Sequence, residues 1–327
     1  MSNSSEHPIP QYCDVVVIGG GAAGLSAALT LTRARRSVVV VDGGEPRNAP
    51  SAGVHGYLTR EGMSPAELVA VGRAEIAGYG GHFLDAEATS VRKVDEGFQV
   101  SAGDRVITAR RVVVTTGLVD VLPDVPGVRE LWALDVHHCP YCHGWELSGR
   151  TVGVLGGGPR AAHQALVFRQ WVTDVVLFTH TADDLTEEQA EQLAARGIAV
   201  VHGRVVDLRT TDGRLSGVEL ADGTVVPRQS LVVAPTFVAR SAVLESLGLL
   251  PEEHPMGQYI LTDPFGLTAV PGVWAAGNVT DLAGGVVNAA SAGMTVGVAV
   301  NSDLITDDIA AAVRAHRSTA AVGADQG

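Results

Sequence analysis

Apolar runs rich in β-branched residues alternate with helix-period segments twice along the 327-residue chain. The first instance, DVVVIGGGAAGLSAALTLTRARRSVVVVD (residues 14–42), is an apolar run, a glycine turn, a helical spacing of apolar positions and a second apolar run. TVGVLGGGPRAAHQALVFRQWVTDVVLFT, from Thr151 to Thr179, repeats the plan. Short β-branched runs flanking a helix predict a βαβ unit with parallel strands. Two such units predict two dinucleotide-type domains. Each is followed by β-rich sequence with a hairpin signal, Gly103–Asp104 in the first case and Asp222–Gly223 in the second. From about Tyr259 the chain reads as a strand, a small-residue turn and a long Gly/Ala-rich helix.

The predicted class is therefore α/β, with two Rossmann-like, three-layer (ββα) dinucleotide-binding domains, the second inserted into the first. Residues 13–119 and 242–312 make the discontinuous outer domain and 120–241 the inserted one. Residues 1–12 and 313–327 are expected to be loosely ordered ends.

Composition narrows the partners. Against 23 basic residues stand 36 acidic ones, a net charge of −13, which disfavours nucleic acid and anionic membranes. No run reaches the ~18 apolar residues of a membrane span, and the polar start MSNSSEHPIPQYC has no signal-peptide character. A cytoplasmic protein is expected. Three cysteines are too few for a disulfide scaffold. Cys13, beside the first strand and without a local partner, reads as an inert thiol at the edge of the core.

Gly19, Gly21 and Gly24 form GxGxxG directly after a strand and at the start of a helix, with Ala22 and Ala23 between them. The first glycine permits the tight turn, the second lets a pyrophosphate approach the backbone, and the third allows close helix–strand packing. The helix N-terminus offers free N–H groups to phosphate. Asp42, followed by Gly43, closes the second strand where an acid can accept from ribose hydroxyls. The second glycine set is Gly156, Gly158 and Ala161, but its distal end holds Thr179, His180 and Thr181, then Asp183 and Asp184. Neither a lone acid for a 2′-hydroxyl nor an arginine pair for a 2′-phosphate stands there. Nicotinamide-nucleotide binding is expected to be weak or absent.

The stretch HHCPYCHGWE, His137–Glu146, sets Cys139 and Cys142 among three histidines. A zinc site would crowd its ligands into seven residues, with no second pair elsewhere. No metal is expected. Thiol–disulfide exchange needs a thiolate, and a neighbouring histidine can take the proton near neutral pH. Trp145 reads as a core residue and His137 as a surface or packing residue, while Pro140 and Tyr141 stiffen the loop. The charges of DDLTEEQAEQLAARG read as a solvated helix face.

These motifs together resemble the low-molecular-weight thioredoxin reductase superfamily over nearly the whole chain. The matching pieces are the Gly19–Gly24 turn, VVVTTG ending at Thr116–Gly117, the CxxC, the second glycine turn, and PGVWAAGNVTD from Pro271 to Asp281. The resemblance implies that FAD is held by the first βαβ unit and the C-terminal segment. The implied contacts are Gly19, Gly21, Ala22, Ala23, Gly24, Asp42, Gly43, Asn48, Thr116, Gly117, Gly277, Asn278 and Asp281. Gly284–Gly285 and the following helix fit a close approach to that cofactor. Departures from the reductases are His143 for an aspartate, His180 and Thr181 for paired arginines, and Asn278 for an aspartate. With CPYCHGWE, they bring the chain closer to the FAD-dependent dithiol oxidases of the gliotoxin, holomycin and romidepsin type. That resemblance implies a small-molecule dithiol and O2 as partners and a homodimer. It also implies that Cys142 faces the flavin, Cys139 meets the substrate, and His143, with His138 second, serves as acid/base. Asn48 or His55 is implied to lie near the flavin or substrate. The alternative is an NAD(P)H-dependent disulfide reductase.

Overall fold

A computed structural model describes residues 8–156, 158–181 and 185–324; Asp183 and Asp184 lie outside them. The chain divides into two units, Met1–Arg47 with Ala66–Val119 and Val238–Gly327, and Asn48–Pro65 with Asp120–Phe237. One segment departs from the expected division. Residues 48–65, read as part of the outer domain, belong with the inserted unit.

In the first unit β1 (Tyr12–Ile18) feeds α1 (Ala22–Arg33), which returns through β2 (Val38–Asp42) parallel to β1. Val15, Val16, Val17 and Val38 to Val40 are fully buried. Helices or strands cover both faces of such a sheet, so its strands read as unbroken apolar runs. After α2 (Pro65–Gly78), β3 (His82–Asp85) adds in parallel to β2. An antiparallel meander follows, β4 (Ala88–Val94), β5 (Gly97–Ala102) and β6 (Arg105–Val114), and β6 also pairs in parallel with β1. Gly103–Asp104 joins β5 to β6 as predicted, with Gly103 at φ 57°. The chain leaves this unit along β7 (Leu118–Val121).

The second unit opens with β8 (Val136–His137) and the single turn α3 (Pro140–His143). The βαβ core is β9 (Thr151–Leu155), α4 (Gly158–Phe168) and β10 (Asp174–Phe178), continued by α5 (Glu187–Ala195) and β11 (Ala199–Val201). Thr186 and Gln189 cap the solvated helix α5 reciprocally. A separate meander, β12 (Val205–Thr211), β13 (Arg214–Leu220) and β14 (Val225–Val226), precedes β15 (Ser230–Val232). The parallel sheet runs β11-β10-β9-β15-β8, so the CxxC leaves the C-terminal end of an edge strand. Asp135, fully buried just before β8, accepts from Arg150, from two nitrogens of the Arg214 guanidinium and from the Leu215 N–H. A buried carboxylate with that many donors stays ionised and pins the meander to the base of β8.

The chain returns through β16 (Thr236–Ala239), α6 (Ala242–Glu245), β17 (Glu252–His254) and β18 (Gly257–Tyr259). β19 (Val273–Ala275) then pairs in parallel with β6, and α7 (Val286–Ala324) closes the first unit. Residues 313–324, expected to be loosely ordered, continue α7. Glycine lets α7 lie against α1: a Cβ on Gly293 would stand 2.0 Å from the Ala23 carbonyl oxygen, and one on Gly297 2.9 Å from Thr30 Cβ.

Candidate functional site

In the first unit the glycine turn has the geometry its sequence predicts. Gly19 sits at φ 105°, where a Cβ would meet the Thr115 carbonyl oxygen at 2.4 Å. A Cβ on Gly24 would lie 1.9 Å from the Gly19 carbonyl oxygen, so helix and strand touch there. Gly21 is different: a Cβ would meet nothing within 4 Å. The opening lies at the N-terminus of α1, with backbone N–H groups facing it. This is the cradle a pyrophosphate needs. Asp42 faces the same turn, its Oδ2 2.5 Å from where a Gly20 Cβ would be. The Asp42 carboxylate also lies 3.9 Å from Arg73, which stacks on Phe83.

The C-terminal segment completes this cradle. Gly277, at φ 80°, approaches so closely that a Cβ would lie 2.8 Å from Ala23 Cβ. Asn278 does not present an idle amide. Its Nδ2 donates to the Asp281 and Gly284 carbonyls at 2.8 Å each, and its Oδ1 accepts from Arg47 at 3.2 Å. Asp281 in turn accepts from the N–H groups of Ala283 and Gly284. Both side chains shape the 277–285 turn. The Thr116 hydroxyl donates to the Arg240 carbonyl, and Gly117, at φ 73°, accepts from the Arg240 N–H. Asn48 falls in the other unit. Two members were missed in the sequence. The buried Thr115 hydroxyl is shared between the Ile18 and Gly19 carbonyls, at 3.0 and 2.9 Å. Arg47 holds Asn278 across 231 residues of chain, for which no local pattern exists.

In the second unit Cys139 and Cys142 form a disulfide with a Cα–Cα separation of 5.3 Å. Cys139 is the extended residue before α3 and Pro140 opens the turn, a position where a missing N–H costs nothing. Gly144 has no room for a side chain, since a Cβ would press on Trp171 at 2.8 Å and on the Pro140 carbonyl at 2.5 Å. Gln164 on α4 donates to the His138 and Val233 carbonyls, fixing the entry to the CxxC.

Three histidines surround this turn in different ways. His137 is buried, and burial, with the neighbouring His143, pushes its pKa down to about 3. His138 lies between Trp132, stacked at 5.7 Å, and Phe237, edge-on at 5.9 Å. His143 lies against His137, with ring centroids 4.5 Å apart. Burial lowers its pKa; Glu146 and the Cys139 carbonyl oppose the shift, and His55 adds to it. A neutral imidazole beside the disulfide can accept a proton from an incoming thiol at neutral pH. Trp145, expected in the core, is 80% exposed. The one-turn helix and Gly144 carry it outward, where a sequence pattern of ten residues has no phase to reveal it.

His55 enters through segment 48–65. Its Nδ1 lies 2.6 Å from Glu61 and its Nε2 3.6 Å from Glu146. At the second glycine turn Gly156 has φ 123°, and α4 starts at Gly158. His180, at φ 56°, turns its Nδ1 inward to accept from the Val205 N–H. Among the described residues no cluster of three or more His, Cys, Asp or Glu is placed to hold a metal ion. No described helix is long and apolar enough to cross a membrane. Cys13 is fully buried, and burial pushes its thiol up to about 12, which leaves it inert.

Fold and site together define a flavoprotein disulfide oxidoreductase with two dinucleotide folds. The chain belongs to the pyridine nucleotide-disulphide oxidoreductase family, which matches residues 13–302 and implies FAD as cofactor. Thioredoxin reductase tcpT of Claviceps purpurea (strain 20.1) is 30% identical over 306 residues, 90% of this chain and 95% of that protein. Thioredoxin reductase sirT of Leptosphaeria maculans is 31% identical over 322 residues, 92% of this chain and 97% of that protein. The crystal structure of HlmI is similar with a TM-score of 0.88 at 48% identity, covering 96% of this chain and 99% of that one.

Proposed function

We propose that the chain is an FAD-dependent dithiol oxidase that closes a small-molecule dithiol, a natural product, into an intramolecular disulfide, with O2 reduced to H2O2. The observation that carries this reading is the Cys139–Cys142 disulfide set beside His143, whose neutral form burial favours. Gly19, Gly21, Gly24, Asp42 and the 277–285 turn would hold FAD. When bound, FAD supplies a two-electron acceptor that O2 can reoxidise.

The chain's own residues perform the exchange. His143 takes the proton from the first substrate thiol. The resulting thiolate attacks Cys139 sulfur, breaking the Cys139–Cys142 bond and releasing Cys142 as thiolate. The second substrate thiolate then attacks the substrate sulfur of that mixed disulfide. Cys139 leaves, so the product is the substrate disulfide and the enzyme holds two reduced cysteines. In this proposal Cys142 is the member that passes the electrons on to FAD.

The rival reading, an NAD(P)H-dependent disulfide reductase, draws on the retained second glycine turn and on the printed names of the fungal relatives. His180 speaks against it, because its ring is occupied by the Val205 N–H where a nucleotide reader would face outward. Losing two bidentate guanidinium–phosphate pairs costs ~4 kcal/mol, roughly a thousandfold in affinity. The test is anaerobic reduction of the yellow protein by a dithiol, by NADPH and by NADH in parallel, followed by air. The dithiol should bleach the flavin, air should restore it with H2O2 formed, and the nucleotides should act slowly or not at all. Rapid bleaching by micromolar NADPH would establish the reductase instead. A homodimer is part of the proposal, tested by the solution mass.

A further inference from the structure

Segment 48–65 brings to the redox turn a histidine that the exchange above does not use. Both ring nitrogens of His55 face carboxylates: Nδ1 meets Glu61 at 2.6 Å and Nε2 meets Glu146 at 3.6 Å. Glu61 is itself anchored, its second oxygen accepting from the Gly56 N–H at 2.9 Å. Glu146 stands three residues after His143, just beyond the turn that ends α3. Val54 and Met63 bridge the base of the loop, so His55 and Glu61 project from a closed hairpin. The arrangement is a chain of ionisable groups, Glu61, His55, Glu146 and His143, all within one unit.

We infer that His55 is a positioning residue: gripped by Glu61, it holds the Glu146 carboxylate in place, and so governs how readily His143 takes a proton. This deepens the oxidase reading and rests on it for the use to which the proton is put. The groups bearing on His143 are Glu146, which favours its charged form, His55, which opposes it, the Cys139 carbonyl, and the His137 ring from β8. Behind His137 stand Arg150, Asp135 and His138. Only the first two groups can be changed without disturbing the buried floor of the site.

The signs differ for the two partners, which separates this role from a merely structural one. Glu146→Gln removes the charge that favours the imidazolium, so His143 should titrate at lower pH. His55→Gln removes the opposing group and releases Glu146 from its partner, so His143 should titrate at higher pH. Each shift should be on the order of half a pH unit for a partly exposed charge.

The measurement is an NMR pH titration of the oxidised, FAD-loaded full chain labelled in its histidine rings, with the His143 signal assigned by its loss in His143→Gln. Glu61→Gln, which leaves His55 in place but loosens its grip, provides a second route if His55→Gln fails to fold. It should shift His143 in the same direction as His55→Gln, by less. Opposite shifts for Glu146→Gln and the His55 or Glu61 variant support the inference. Unmoved midpoints, or shifts of one sign, overturn it. Because the titration needs no turnover, the two proposals fail separately. Absent air-dependent dithiol oxidation with opposite shifts would remove the oxidase reading alone, and oxidation with unmoved midpoints would remove this one.

Discussion

The rings of His137 and His143 lie 4.5 Å apart at 34°, and neither Nδ1 has a hydrogen-bond partner in its buried setting. Two imidazoles in such contact cannot both carry charge. Burial and this neighbour push His137 down from 6.5 to about 3. Above pH 6.5 the unfolded and folded chains both hold it neutral, and its contribution to stability is complete. As pH falls from 6.5 toward 3 the unfolded chain binds a proton that the folded chain refuses. Stability should then fall by about 1.4 kcal/mol per pH unit from this one group. His137→Phe, which sacrifices no hydrogen bond through Nδ1, should flatten that slope between pH 6 and 4 in urea unfolding. Parallel slopes for variant and wild type would show that His137 gains a partner below pH 6.

Gly21 and Gly24 predict opposite failures. Gly21 has an extended backbone, φ −76° and ψ −174°, that valine also adopts, and open space around it. Gly21→Val should fold with wild-type circular dichroism yet lose FAD, read as flavin absorbance per protein. Gly24→Ala should lose the fold of the turn itself, because its Cβ would overlap the Gly19 carbonyl. A yellow Gly21→Val protein would mean that the pyrophosphate lies elsewhere.

Asn278 holds its turn with two donors that an aspartate would lack. Its amide donates to two carbonyls at 2.8 Å, and a carboxylate would set oxygen against oxygen at both. Asn278→Asp gives Arg47 a charged partner but forfeits both donors. We expect a net loss of about 1 kcal/mol or more, seen as a lower Tm and weaker FAD retention. An unchanged melting curve would show that the turn holds without this side chain.

The two cysteines should fail differently. Cys139→Ser should abolish turnover while leaving the Cys142 thiolate, visible as a long-wavelength charge-transfer band. Cys142→Ser should abolish turnover and give no band. Dithiol oxidation at the wild-type rate by either variant would show that electrons bypass the pair.

His143→Ala should keep fold and FAD but slow dithiol oxidation by about 10²–10⁴, the range for a lost acid/base group. The defect should shrink at high pH, where substrate thiols ionise unaided. A defect constant across pH would assign the loss to packing against His137 rather than to proton transfer.

Local chain chemistry suffices for the two βαβ units, the glycine turns at Gly19–Gly24 and Gly156–Ala161, the Gly103–Asp104 hairpin and the CxxC. Each is a local matter of period, of residues that tolerate positive φ, or of spacing along a few positions. Asp42 belongs with them, because strand length alone carries an acid to the end of β2. The rest depends on long-range packing. It drew residues 48–65 into the second unit, so that His55 meets Glu146 across ninety-one positions. It exposed Trp145, extended α7 beyond residue 313, tied Arg47 to Asn278 and buried Asp135 under Arg214. Such pairings depend on which surfaces meet once the sheets have formed. The energy that selects them is long-range burial and charge compensation, which leaves no periodic trace in the chain.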